Sequence, residues 1–207
     1  LATICGCLPK KTGYVMTSRL ISSTKTYGND SSDRAGNLVS VIVPCFNAEK
    51  TLPKCLDSLL SQKGITPHII CVDDGSTDGT PEILSAYRNN SPHAVSVVSQ
   101  INSGAWQARI AGLKAADSKF IMFLDSDDYA KPDFVKIMLD EITTSKSDIA
   151  VCGFERIDEE SNRVLSKEFC TFIDSFNPPE DYGNLLKVNP APVSYTHLRA
   201  HETRRHL

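Results

Sequence analysis

Between residues 38 and 154 the chain alternates two hydrophobic periodicities. Short β-branched runs, "LVSVIVP" (38–44), "HIICVDD" (68–74), "AVSVVSQ" (94–100), "KFIMFLD" (119–125) and "DIAVCGF" (148–154), are too short and too rich in Val and Ile for helices. They predict strands, the first two of them buried. Between them lie segments of helical period. "NAEKTLPKCLDSLLSQ" sets Leu52, Leu56, Leu59 and Leu60 on one face, with Asn47 as a cap. "STDGTPEILSAYRNN" (76–90) offers Thr80 as cap, Pro81 at the first helical position, and Ile83, Leu84 and Tyr87 inward. "SGAWQARIAGLKAA" (103–116) reads as a helix rich in small residues, and another begins near Pro132 with Phe134, Val135, Met138 and Ile142 on one face. Strands alternating with helices of this length predict an α/β fold, a mostly parallel sheet covered by helices on both faces.

In such a sheet, the loops at the carboxyl ends of the strands converge on a ligand crevice. Here those ends carry Pro44 to Asn47, then Asp73 and Asp74, then Asn102 to Gly104, then Asp125, Asp127 and Asp128. Carboxylates gathered in one crevice repel unless a cation or donors offset them. The pattern therefore points to a hard divalent metal, Mg²⁺ or Mn²⁺, completed by substrate phosphates. Taken singly the motifs are weak. "DDGSTDGT" has the residues any turn prefers, and only the second acidic cluster in "LDSDD" turns the balance. Arg109 reads equally as a site residue and as a bland one, either a solvent-facing helix residue or a partner for a nearby carboxylate. Trp106 reads more simply as a helix-surface aromatic than as a stacking platform.

Charge removes one class of partner. The overall −3 leaves residues 37–192 with 14 basic and 22 acidic side chains, a poor surface for nucleic acid. No run of 18 apolar residues is present, so no transmembrane segment is expected. The seven cysteines form no CxxC pair and read as reduced core thiols of a cytoplasmic protein.

The two ends break the pattern. Residues 1–36 lack periodicity and read as a disordered leader or upstream read-through, with Met16 as one candidate start. "VSYTHLRAHET" (193–203) resembles the translation of a transposase adapter used in sequencing libraries, so 193–207 reads as an artefactual tail on a domain cut short near Pro192. His197, His201, Glu202 and His206 imitate zinc spacing, but as chance spacing in foreign sequence they receive no role.

Four segments in order, "VSVIVPCFNAEKTLPKCLDSLLSQ", "IICVDDGSTDGT", "NSGAWQARIAGLKAA" and "FIMFLDSDDYAKPDF", resemble the successive motifs of family 2 glycosyltransferases of the GT-A fold. The likeness covers roughly 39–155. It implies an incomplete Rossmann-like GT-A domain over 37–192 that moves a sugar, with inversion, from a nucleotide-diphosphate donor, UDP preferred and dTDP an alternative. It further implies that Pro44 and Asn47 line the nucleotide pocket and that Asp74, with Asp73 beside it, bonds the base. Asp125-Ser126-Asp127 matches the DxD motif, with Asp127 as metal ligand, Asp125 near the ribose or a metal-bound water, and Asp128 as a substitute ligand. Arg109 would touch the diphosphate or orient the carboxylates.

The general base is expected beyond Pro192, "NPAP" (189–192) opening that region, and Asp158, Glu159 and Glu160 read as a polar turn between strands. A carbohydrate or lipid-linked acceptor, with peripheral association at the inner face of the plasma membrane, follows by analogy with bacterial surface-polysaccharide enzymes. Three rivals remain beside this reading. A receiver-type signalling module would place its acidic pair after the first strand. A sugar-nucleotide pyrophosphorylase would open on a glycine-rich basic loop, and a donor-binding, catalytically incomplete fragment would keep the first half of the site alone.

Overall fold

The computed structural model describes residues 2–5, 38–144, 149–158, 161, 163–168 and 196–199. In chain order the elements are β1 (Ala2–Cys5), β2 (Val39–Cys45), α1 (Leu52–Leu60), β3 (His68–Asp73), α2 (Thr80–Asn90), β4 (Val95–Ser99) and α3 (Ala105–Ala115). They continue with β5 (Phe120–Phe123), β6 (Asp128–Ala130), α4 (Phe134–Thr144), β7 (Ile149–Val151), β8 (Phe154–Asp158), β9 (Arg163–Glu168) and β10 (Thr196–Arg199).

The expected parallel sheet forms in the order β4-β3-β2-β5, with Ile42 level with Ile70 on one side and Phe123 on the other. Every residue of β2 is buried, as a central strand of a two-sided sheet requires. Alternate side chains feed two cores. Ile42, Ile70, Val72, Ile121 and Phe123 pack under α3 through Ala108. Val41, Val43, Ile69, Cys71 and Met122 pack on the opposite face, with Leu52, Leu56 and Leu59 of α1, Leu84 of α2 and the expected Phe134, Val135, Met138 and Ile142 of α4. Each such large apolar side chain contributes about 1.5–3 kcal/mol by leaving water.

The small residues of α3 have a definite use. A Cβ on Gly112 would run into Ile42 Cγ2, with Ile42 Cγ1 at 3.2 Å and Val72 Cγ2 at 3.3 Å, so glycine is what lets this helix lie close to the sheet. Cys45, Cys55 and Cys71 are free and buried, and Cys152 is buried as well, as expected of core thiols.

Several local expectations are corrected. Asn47 does not cap α1; the helix starts five residues later at Leu52, after Thr51. The Asn47 side-chain oxygen instead accepts from the Thr77 N–H at 2.8 Å, across to the next loop. Thr80 likewise opens α2 without capping it, because its hydroxyl accepts from Ala48 N–H at 2.8 Å. The run 148–154 is two elements: β7 stays with the first sheet, and Phe154 begins β8 in a second sheet ordered β6-β1-β8-β9. Asp158 lies where the polar turn was expected, at the β8 end of the β8–β9 hairpin, and its carboxylate accepts from Ser161 N–H at 3.2 Å.

Four residues of the expected leader form β1, parallel to β6 and antiparallel to β8, and four of the expected tail form β10, antiparallel to β5 and β7. Met16, Glu159, Glu160, Pro192 with "NPAP", His201, Glu202 and His206 lie outside the described residues. Among the described residues, no helix is long and apolar enough to cross a membrane.

Candidate functional site

The carboxyl ends of β2, β3 and β5 open into a cavity of about 600 Å³. Six of the expected site residues border it: Pro44, Asn47, Asp74, Arg109, Asp125 and Asp127. Asn47 adopts a left-handed backbone, φ 50°, which lets the chain turn out of β2 and still present its amide to Thr77. The β2–α1 and β3–α2 loops are bonded to each other along their length. Glu49 N–H donates to Asp78 Oδ2 at 3.1 Å, Gly79 N–H donates to Glu49 Oε2 at 2.9 Å, and Asp74 N–H donates to Cys45 O at 2.8 Å.

Asp73 and Asp74 are neighbours in sequence and part company in space, since consecutive strand residues point to opposite faces. The Asp73 carboxylate accepts from Ser76 N–H at 3.0 Å, closing its own turn, and borders a separate hollow of about 120 Å³ beside Arg88. It does not border the main cavity, which Asp74 does. Asp74 is 3% exposed, and its Oδ1 accepts from Gln100 Nε2 at 2.7 Å and Ser103 N–H at 2.8 Å, while Oδ2 accepts from Gly104 N–H at 2.8 Å. Gly104, at φ 89°, is the residue before α3, so Asp74 fixes the entry to that helix.

Burial pushes the Asp74 carboxyl up, but the bonds from Gln100, Ser103 and Gly104 outweigh it and hold the group below its ordinary 3.8. A carboxyl depressed by folding stabilises the protein above its unfolded pKa and loses that contribution as pH falls through the folded value. Asp74→Asn is therefore expected to be less stable than the parent at neutral pH, with the gap closing below about pH 4. Urea midpoints measured across that range check it; a gap that persists in acid contradicts it.

Asp125, Asp127 and Asp128 bring carboxylate oxygens within 4.8 Å of one another. Asp127 is exposed and Asp125 half-buried, whereas Asp128 is 6% exposed, because it opens β6. Asp128 does not border the cavity directly. Among the described residues this is the one such cluster, and its donors are all hard oxygens, the set that suits Mg²⁺ or Mn²⁺ and not a thiophilic ion. Arg109 is not a solvent-facing helix residue: its side chain is 16% exposed, and Nη2 donates to Asp125 Oδ1, the carboxylate partner that the sequence also allowed. Its Nε is buried without a hydrogen-bond partner.

Two contributors were not singled out from the sequence. Phe46 borders the cavity at 49% exposure, an apolar ring left in solvent beside a polar site; an aromatic directly after β2 was the available signal. Gln100 acts through Asp74 and has no local signature. Trp106 is a 64% exposed aromatic on the surface of α3 and does not border the cavity.

Glycosyl transferase family 2 matches residues 40–199. The chain belongs to that family. Among the relatives of this family 2 protein, the uncharacterized glycosyltransferase EpsJ of Bacillus subtilis is 36% identical over 140 residues, 63% of this chain and 40% of EpsJ. A chondroitin synthase of Pasteurella multocida is 32% identical over 143 residues, 69% of this chain and 14% of the synthase. Among solved structures, S. aureus TarS 1–349 in complex with UDP superposes with a TM-score of 0.63 at 26% identity, covering 81% of this chain and 48% of that one. The family 2 chain thus spans less than half the length of these relatives. Its sheet and helices are those of a GT-A α/β fold, and the receiver-type alternative falls with the family match.

Proposed function

We propose that residues 37–192 form the donor-binding domain of an inverting, metal-dependent glycosyltransferase that takes a nucleoside-diphosphate sugar, UDP-sugar by preference. The observation that carries the reading is that one cavity is bordered both by Asp74 and by Asp125 and Asp127 of the carboxylate cluster. An ionised Asp74 accepts and cannot donate, so it suits a base edge that presents an N–H, as uracil does. Phe46 offers a ring face for the same base. The UDP complex of a structural neighbour supports the nucleotide choice, and the polymer synthases among the relatives support a carbohydrate acceptor, free or lipid-linked. Placement in the cytoplasm, at the inner face of the membrane, belongs to the same proposal.

In the reaction, the acceptor oxygen bonds to the anomeric carbon as that carbon's bond to the diphosphate oxygen breaks, and the acceptor proton passes to a base. Mg²⁺ or Mn²⁺, when bound, neutralises charge growing on the leaving diphosphate without proton transfer. Asp127, Asp125 and Asp128 would hold it. Asp74 orients the nucleotide and fixes the start of α3, and Arg109 steadies Asp125.

Calorimetric titration of UDP into the full chain, with and without Mn²⁺, tests the proposal. Binding is expected only with the metal. A folded protein that takes up no nucleotide with either Mn²⁺ or Mg²⁺ contradicts it.

A further inference from the structure

β4 is the outer strand of the first sheet, and among the described residues no strand pairs with its far side. Its hydrogen bonds show which groups that leaves over. Ala94 C=O accepts from Ile69 N–H at 2.7 Å and Gln100 N–H donates to Asp73 C=O at 2.9 Å, so the even-numbered residues of this strand face β3. Their neighbours face away. Val97 and Ser99 therefore turn both N–H and C=O outward, while Val95 turns out only a C=O, its N–H donating to Ser91 C=O at 2.9 Å.

Such an edge is a template for a further strand unless the protein blunts it. The other edges are blunted. β6 and β7 have three residues each, β6 opening on Asp128, and β9 carries Arg163, Lys167 and Glu168. β4 has none of these devices. It is five residues long with three valines and no proline, and it lies in a stretch, Ala94 to Ala108, that contains no Asp, Glu, Lys, Arg or His. Ser99 is exposed, and Ile101, just past the strand, is 88% exposed.

The charge pattern selects the occupant. Residues 37–192 carry 14 basic and 22 acidic side chains, so two copies repel over most of their surface and meet without repulsion along this uncharged strip. The backbone pattern also suits a copy of itself. In an antiparallel pair centred on Val97, each Val97 exchanges N–H···O=C bonds with its counterpart, and each Ser99 N–H meets the outward C=O of Val95 in the other copy.

We infer that two copies of this chain associate by pairing their β4 edges antiparallel about Val97, which joins the two parallel sheets into one. This pairing stands whatever the cavity binds. It still touches the cavity, because β4 runs directly into Gln100, Ser103 and Gly104, the residues that hold Asp74, and pairing braces that wall in both copies.

Sedimentation velocity of the full chain over a micromolar concentration series tests the pairing, with amide exchange of residues 94–101 followed on the same samples. The parent is expected to pass from monomer to dimer as concentration rises, with exchange at Val97 and Ser99 slowing about tenfold or more. Added salt should strengthen association, since it screens the acidic bodies and leaves the edge as it is. Ser99→Lys puts a charge on each edge, and Ser99→Pro removes an outward N–H that the ladder to β3 does not use. Each is expected to weaken association about tenfold or more with the circular dichroism spectrum unchanged.

A parent that stays monomeric at every concentration and salt overturns the inference. So does a dimer that survives both substitutions, or one whose exchange at Val97 and Ser99 ignores concentration, because the contact then lies elsewhere. If the variants do not fold, exchange in the parent decides between the same outcomes.

Discussion

Asp127→Asn is expected to reduce Mn²⁺-dependent UDP binding by about a hundredfold or more, since a metal ion that neutralises diphosphate charge is worth several kcal/mol. Asp127 is exposed, on the loop between β5 and β6, with its carboxylate among the three that approach within 4.8 Å. Asparagine keeps the shape and removes the charge, leaving one neutral oxygen for a hard cation. Because the position is exposed, the melting temperature is expected to stay close to the parent's, in keeping with surface substitutions that change stability by about 0.5 kcal/mol or less. Calorimetry and a thermal melt on one preparation separate the two effects. A variant that binds UDP and Mn²⁺ as the parent does would place the metal elsewhere. Asp128→Asn makes a contrast, because burial of Asp128 in β6 ties its replacement to folding as well.

Gly112→Val carries the largest expected loss of stability. The added side chain meets Ile42 and Val72 on the central strands, which α1 and α4 back from the other face. Overpacking at such a site costs about 3 kcal/mol. For a chain of this size that corresponds to a fall in melting temperature of about 6–12 °C. If α3 lifts from the sheet to make room, Arg109 moves with it, three residues along the same helix. UDP binding should then weaken at temperatures where the protein is still folded. Full binding by a destabilised Gly112→Val would show that the sheet yields instead of the helix.

The parts of this molecule legible in its sequence are those whose causes are local. Continuous β-branched runs mark β2, β3 and β4 to within a residue or two, with β2 and β3 buried in the sheet and β4 partly buried at its edge. The apolar stripe of α4 names its buried residues outright. The errors come where a side chain finds a distant partner. Asn47 and Thr80 have the chemistry of caps, yet their oxygens accept backbone N–H groups from the facing loop, some thirty residues away. Asp73 and Asp74 look alike as letters, and only the pleat decides which one meets the cavity. Gln100 owes its part entirely to Asp74.

The mutual bonding of the β2–α1 and β3–α2 loops has a consequence for how this protein varies. Asn47 accepts from Thr77, and Glu49 both donates to Asp78 and accepts from Gly79, so each loop holds the other's partners. A change at 47 or 49 strands a backbone group at 77–79, and the reverse holds for Asp78. Inheritance should therefore treat these positions as linked pairs, substituted together or kept together. Libraries that randomise one loop alone would loosen the other, at about 0.5–1.5 kcal/mol for each bond lost.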